Sequence, residues 1–171
     1  MHSDSALNRW SEPRLMSIAA RLLKDGFTGA DSFVMSPACL YAALEMLARG
    51  AEGKTLEELE SVLGNAETRQ EACSLLFAAT PKHQTPSNYR LSIATSLWAN
   101  KHSAPLRSSF SRATADINGQ VAEVDFASPG DNTQMSAWLD RNTGSKFNSA
   151  PEFDTDTLFA IISALYFKDN W

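Results

Sequence analysis

The chain has 171 residues, 43% of them apolar, and a formal net charge of −5. That is enough for one domain with a real core, and the acidic balance argues against nucleic acid or an anionic membrane surface as partner. The longest clean apolar run, Leu158 to Phe167, is too short to cross a bilayer, and the N-terminus "MHSDSALNRW" lacks the basic-then-apolar layout of a secretory signal.

A first helix is predicted from about Glu12 to Lys24, with Leu15, Ile18, Ala19, Leu22 and Leu23 on one side, ended by Gly26 and Gly29. Ser32 to Met35 reads as a short strand, and Ser36-Pro37 as a helix start, with serine as N-cap and proline at the first helical position. The helix from Pro37 to Arg49 is apolar around most of its circumference and is expected to be the most buried one. Its charges, Glu45 and Arg49, stand four apart and read as a weak surface pair. Gly50 and Gly53 bracket a turn. Thr55 followed by Glu58 reads as a capping box, Leu56, Leu59 and Leu63 form one stripe, and Gly64 is the stop. Another helix runs from about Ala66 to Ala79.

The period then changes. Leu91, Ile93, Thr95 and Leu97 alternate with Ser92, Ala94, Ser96 and Trp98, a strand reaching about Ala99. Pro105 to Asp116 reads as helical and Val121 to Phe126 as a strand. Asp131 is expected to cap a helix whose inner face is Met135, Trp138 and Leu139. The run "LFAIISALYF" reads as a strand buried on both faces. Such a strand wants neighbours and cover on each side, so a chain stopping soon after it, at "KDNW", reads as a truncated domain.

Catalytic signals are weak. No Gly-x-Ser-x-Gly turn supplies a nucleophile, and Ser36 is already occupied as a cap. "GAEGKT" ends like a phosphate-binding loop, but Gly50 stands only three residues before Gly53 and the segment follows a helix. The acidic pairs Glu57/Glu58 and Asp154/Asp156 lie in polar, solvated text. Cys39 and Cys73 read as reduced, buried thiols. His2, His83 and His102 have no metal-type spacing and read as loop residues. No enzyme, metal or cofactor is expected, and no heparin-type polyanion site is evident.

The blocks "SP…LARGAEGKT", "LSIATSLWANKH", "VAEVDF", "MSAWLDRNTGSKF" and "ALYFKDNW" together resemble the serpins, the conformationally trapping protease inhibitors, in family order from about Leu15 to Trp171. The resemblance implies an α+β fold: a helical cluster packed on a partial, mainly antiparallel sheet near residues 91–99, 121–126 and 158–168. It makes residues 1–171 an incomplete N-terminal portion without the reactive loop. The whole protein would be a suicide inhibitor of serine, or less often cysteine, endopeptidases. A non-inhibitory carrier or chaperone, or a standalone interaction module, would share this half. Extracellular location is also implied, although no signal peptide is present.

By the same resemblance, Ser36, Pro37, Cys39 and Ser163 fall at the gate where the main sheet parts to admit a strand. Cys39 stands where the family usually has a second serine, and Ser163 where it usually has asparagine. Both changes reduce hydrogen-bonding capacity, since a thiol donates poorly and a hydroxyl lacks the two ends of an amide. Lys168 and Trp171 fall at the top of the sheet, where insertion starts.

Overall fold

Helical text fills the first half of the chain and strand text dominates the second, and the contacts divide the same way, into residues 1–79 and 80–171. The computed structural model of the chain describes residues 13–27, 29, 34–78, 90–103 and 105–169. His2, His83, Trp171 and half of the expected strand at Ser32 to Met35 lie outside the described residues; Val34 and Met35 are irregular.

The first unit holds α1 (Pro13–Gly26), α2 (Pro37–Ala48), α3 (Gly53–Leu63) and α4 (Ala66–Ala78). The apolar circumference of α2 leaves none of its residues exposed, and Tyr41 and Met46 are fully buried. Tyr41 takes no unmet polar group into the core, because its hydroxyl donates to the Leu63 carbonyl, 3.4 Å away at the end of α3.

Two local expectations are corrected here. The Thr55 capping box does not form, because α3 begins earlier, at Gly53, whose φ of +58° lets the chain turn into the helix sooner. Glu58 instead makes an exposed ion pair with Lys54. Glu45 and Arg49 are not a surface pair. The Glu45 carboxylate is buried, with Arg49 Nε 2.9 Å from Oε1 and Arg69 Nε 3.0 Å from Oε2. Gly64 ends α3 as expected, at φ +93°, and a Cβ there would lie 2.8 Å from Thr68 Cγ2.

The second unit holds β1 (Arg90–Asn100), α5 (Ser108–Ala113), a 3₁₀ turn (Ala115–Ile117), β2 (Gly119–Val124), α6 (Pro129–Asn142) and β3 (Phe159–Lys168). The strand order is β2-β1-β3. The sheet is mixed: the longer β1–β3 pairing is antiparallel, and the shorter β1–β2 pairing is parallel, with α5 in the crossover. The helix expected over Pro105 to Asp116 is broken at Thr114, where the chain tightens into the 3₁₀ turn. Asn118, at φ +52°, then starts β2.

The core of this unit forms where α6 crosses β1 and β3. Met135, Trp138 and Leu139 are buried as expected, against Ala94, Trp98 and Ala164. The alanines of the strands leave the room that the two indole rings fill. Phe126 leaves β2 but stays buried, edge-on to Phe153 with ring centroids 5.3 Å apart. Asp131 sits in the first turn of α6 rather than before it; Ser128 is the cap position, and Asp131 Oδ2 accepts the Asp125 amide at 2.7 Å.

That amide belongs to a charged junction. Asp125 Oδ2 lies 3.2 Å from His102 Nε2 and 3.3 Å from Lys101 Nζ, and its other oxygen accepts the Ala127 amide. His102, followed by the Ala127 amide, holds the Asp125 carboxyl below the usual carboxylate range. A carboxylate depressed by folding adds stability above its unfolded pKa, near 3.9, and loses it as pH falls through the lower folded value. His102→Ala should therefore destabilise the fold slightly at neutral pH, where the contribution is fully present, and raise the acid-unfolding midpoint by a fraction of a pH unit, followed by circular dichroism, with the difference vanishing below the folded value. Superimposable acid transitions would refute this role of His102.

Candidate functional site

The start of α2 follows from three residues. Ser36 is extended (φ −122°, ψ 102°), Pro37 supplies the first helical φ, and the Ser36 hydroxyl accepts the Cys39 amide at 3.2 Å. Ser36 and Cys39 are thus brought together by one turn of helix. Cys39 is partly buried, and that burial raises its thiol pKa, an effect that the Ser36 hydroxyl only partly opposes. The thiol is a neutral group here and a poor nucleophile.

Ser163 lies in the middle of β3, directly across from Thr95 in the antiparallel register. The two hydroxyl oxygens are 2.6 Å apart, and either one can donate. Sequence reasoning placed both residues in strands but missed this bond. Thr95 is fully buried, so the bond gives an otherwise sealed hydroxyl its partner. One residue on, Ser96 Oγ accepts the Trp98 indole N–H at 2.8 Å and donates to the Ile162 carbonyl at 3.3 Å. A ladder of small hydroxyls therefore links β1 to β3.

The "NTGSKF" block has a structural reason. Thr143 Oγ1 donates to the Leu139 carbonyl at 2.7 Å and accepts the Phe147 amide at 3.1 Å, which closes α6 and reverses the chain. Gly144 has φ +59°, and a Cβ there would lie 2.9 Å from Cζ of Tyr166 in β3. Only glycine lets the turn lie flat on that ring. Lys168 ends β3 and, with Lys146, Phe147 and Tyr166, lines an open groove of about 490 Å³. Leu165 and Phe167 are 40% and 49% exposed, so β3 is not buried on both faces as the sequence suggested. Among the described residues it pairs only with β1.

The family described as Serpin (serine protease inhibitor) has a sequence model that matches residues 15–171. Iripin-2 of Ixodes ricinus is 30% identical over 160 residues, which are 88% of this chain and 40% of that protein. Neuroserpin of Homo sapiens is 27% identical over 151 residues, 84% of this chain and 37% of its own length. The chain thus spans about two fifths of the length of these curated relatives. Reaction-loop-cleaved lamprey angiotensinogen superposes with a TM-score of 0.76 at 25% identity, covering 96% of this chain and 49% of that one. The thermophilic serpin tengpin, in its latent state, shares the fold with a TM-score of 0.78 at 20% identity, covering 95% of this chain and 44% of that one.

Two substitutions test these contacts. Ser36→Ala should cost about 1 kcal/mol through the lost cap, read as a lower melting temperature. Ser163→Ala should cost about 1–3 kcal/mol by stranding the Thr95 hydroxyl, and adding Thr95→Val should recover most of it. Strictly additive losses in the double variant would mean that the hydroxyls are not coupled.

Proposed function

Because the chain belongs to the serpin family, we propose that the whole protein is a suicide inhibitor of serine endopeptidases, in which residues 1–171 supply the helical cluster and part of the sheet that opens. The observation that carries this reading is β3, which pairs with β1 along one edge and with no strand along the other among the described residues. Small hydroxyls anchor β3 to β1 through bonds of about 1 kcal/mol each, which leaves its other edge to take a further strand.

In this reading, Ser36, Pro37, Cys39 and Ser163 form the gate. Ser36 fixes the start of α2 through the Cys39 amide. The neutral Cys39 thiol is a weak hydrogen-bonding group, and Ser163 bonds Thr95 of the neighbouring strand. By the resemblance, Lys168 and Trp171 fall where an entering strand would first pair; Lys168 is the last residue of β3. The partly exposed Leu165 and Phe167 beside Lys168 suit a strand edge that receives another chain segment.

The chemistry lies in the target enzyme rather than here. The protease serine attacks a bait peptide bond, the loop is cleaved while still esterified to that serine, and its insertion into the sheet carries the acyl-enzyme along before water can release it. The test is to incubate the purified whole protein with trypsin-, chymotrypsin-, elastase- and subtilisin-like enzymes. A covalent complex that survives boiling in detergent is expected with at least one of them. Loop cleavage without any complex would refute the inhibitory reading and favour a carrier, as in thyroxine-binding globulin, whose thyroxine complex shares the fold with a TM-score of 0.68. In this reading residues 1–171 alone carry no bait bond and are expected to give no complex with any of these enzymes.

A further inference from the structure

Four acidic and basic side chains of the first unit play no part among the gate residues or in side-chain capping. Glu45 comes from α2, Arg49 from the position just after its end, Glu60 from α3 and Arg69 from α4. We propose that they form a clasp that sets the rotational register of α4 against α2 and α3.

The Glu45 carboxylate is the hub. Its side chain is 3% exposed, and each oxygen faces a different guanidinium. Arg69, itself 9% exposed, continues outward through Nη1 to Glu60 Oε1 at 2.7 Å. The four formal charges cancel, which makes burial of the hub tolerable. The Arg49–Glu45 and Arg69–Glu60 contacts are aligned hydrogen bonds. Arg69 Nε and Glu45 Oε2 are only 3.0 Å apart yet make no aligned bond, so their attraction is Coulombic and holds distance rather than direction.

The sequence of α4 shows why such a clasp is needed. Its buried face is Arg69, Ala72, Cys73 and Phe77. Ala72 and Cys73 are small, and Leu75, Leu76 and Phe77 are consecutive, so apolar side chains point in several directions around the helix. Rotating α4 by one residue, about 100°, would bring Ala72, Leu75 and Leu76 inward together with Thr68 and Glu71, so the apolar side chains select the register only in part. Arg69 has no substitute. Only one rotation brings its guanidinium to both Glu45 and Glu60, and any other leaves a buried carboxylate facing one cation too few. Specifying one arrangement among several of similar apolar content is the best-attested use of buried polar groups.

The experiment is hydrogen exchange by NMR on the whole chain. Glu45→Gln should speed exchange of the α4 amides about a hundredfold, because two guanidiniums lose their shared anion, while the amides of β1 and β3 are unchanged. A change of less than about threefold in α4 would overturn the proposal. The combined variant Glu45→Leu, Arg49→Leu, Glu60→Leu, Arg69→Met should stay folded, since apolar replacement of a complete buried ion network is tolerated. Its α4 amides should nevertheless appear as more than one set of resonances. A single sharp set would show that apolar packing alone fixes the register. Should Glu45→Gln not fold, Glu60→Gln decides, because that side chain is 34% exposed. Exchange about tenfold faster and confined to α4 supports the clasp, and unchanged exchange refutes it.

Discussion

Backbone groups of a buried central strand must be satisfied on both sides, and β1 is the strand on which that requirement falls. It lies between β2 and β3, parallel to one and antiparallel to the other, and most of its length is buried. No water is available to replace a missing partner there. The register with β3 is therefore fixed along ten residue pairs, and that register sets Thr95 against Ser163 and Trp98 against Ala160. The Thr95–Ser163 bond and the room for the Trp98 ring follow from the same pairing.

The two units use polar groups in different ways. In the second, buried hydroxyls are shared between neighbouring strands, and each bond is weak and replaceable. In the first, a single carboxylate is surrounded by cations from two helices. A hydroxyl pair can be parted at modest cost, whereas an ion cluster resists any change that separates its members.

Much of this was legible from sequence where the cause is local. Ser36-Pro37 announces a helix start because cap and proline act within one turn. The burial of α2 can be read from its apolar circumference, and the Met135, Trp138 and Leu139 face of α6 from its spacing. Failures came where distant residues decide. Nothing around Glu45 reveals that Arg69 will reach it, so a buried hub read as a surface pair. Thr55 followed by Glu58 has the right spacing for a cap, but a glycine two positions earlier let the helix begin first. In β1 the parity that looked more polar, Ala94 and Trp98, is the one that meets α6, because the bulky partners lie on the helix. Among the candidate site residues, the capping role of Ser36 could be read from sequence. The Thr95–Ser163 bond could not, since it spans 68 positions.

That span also has a consequence for synthesis. Asn118, at the start of β2, reaches back to the Ile93 carbonyl across 25 positions, while Ser163 must cross 68 to reach Thr95. The longer closure costs only about 0.9 kcal/mol more in chain entropy. Timing separates the two pairings far more. A ribosome extends the chain from its N-terminus, so β1, β2 and α6 are all made before the last residues of β3 leave the exit tunnel. During that interval the β3 side of β1, with its buried Thr95 hydroxyl, has no strand to pair with. The nascent chain thus passes through a state in which its central strand is open on the side where β3 will later close it, and a chaperone that shields that side would act during translation.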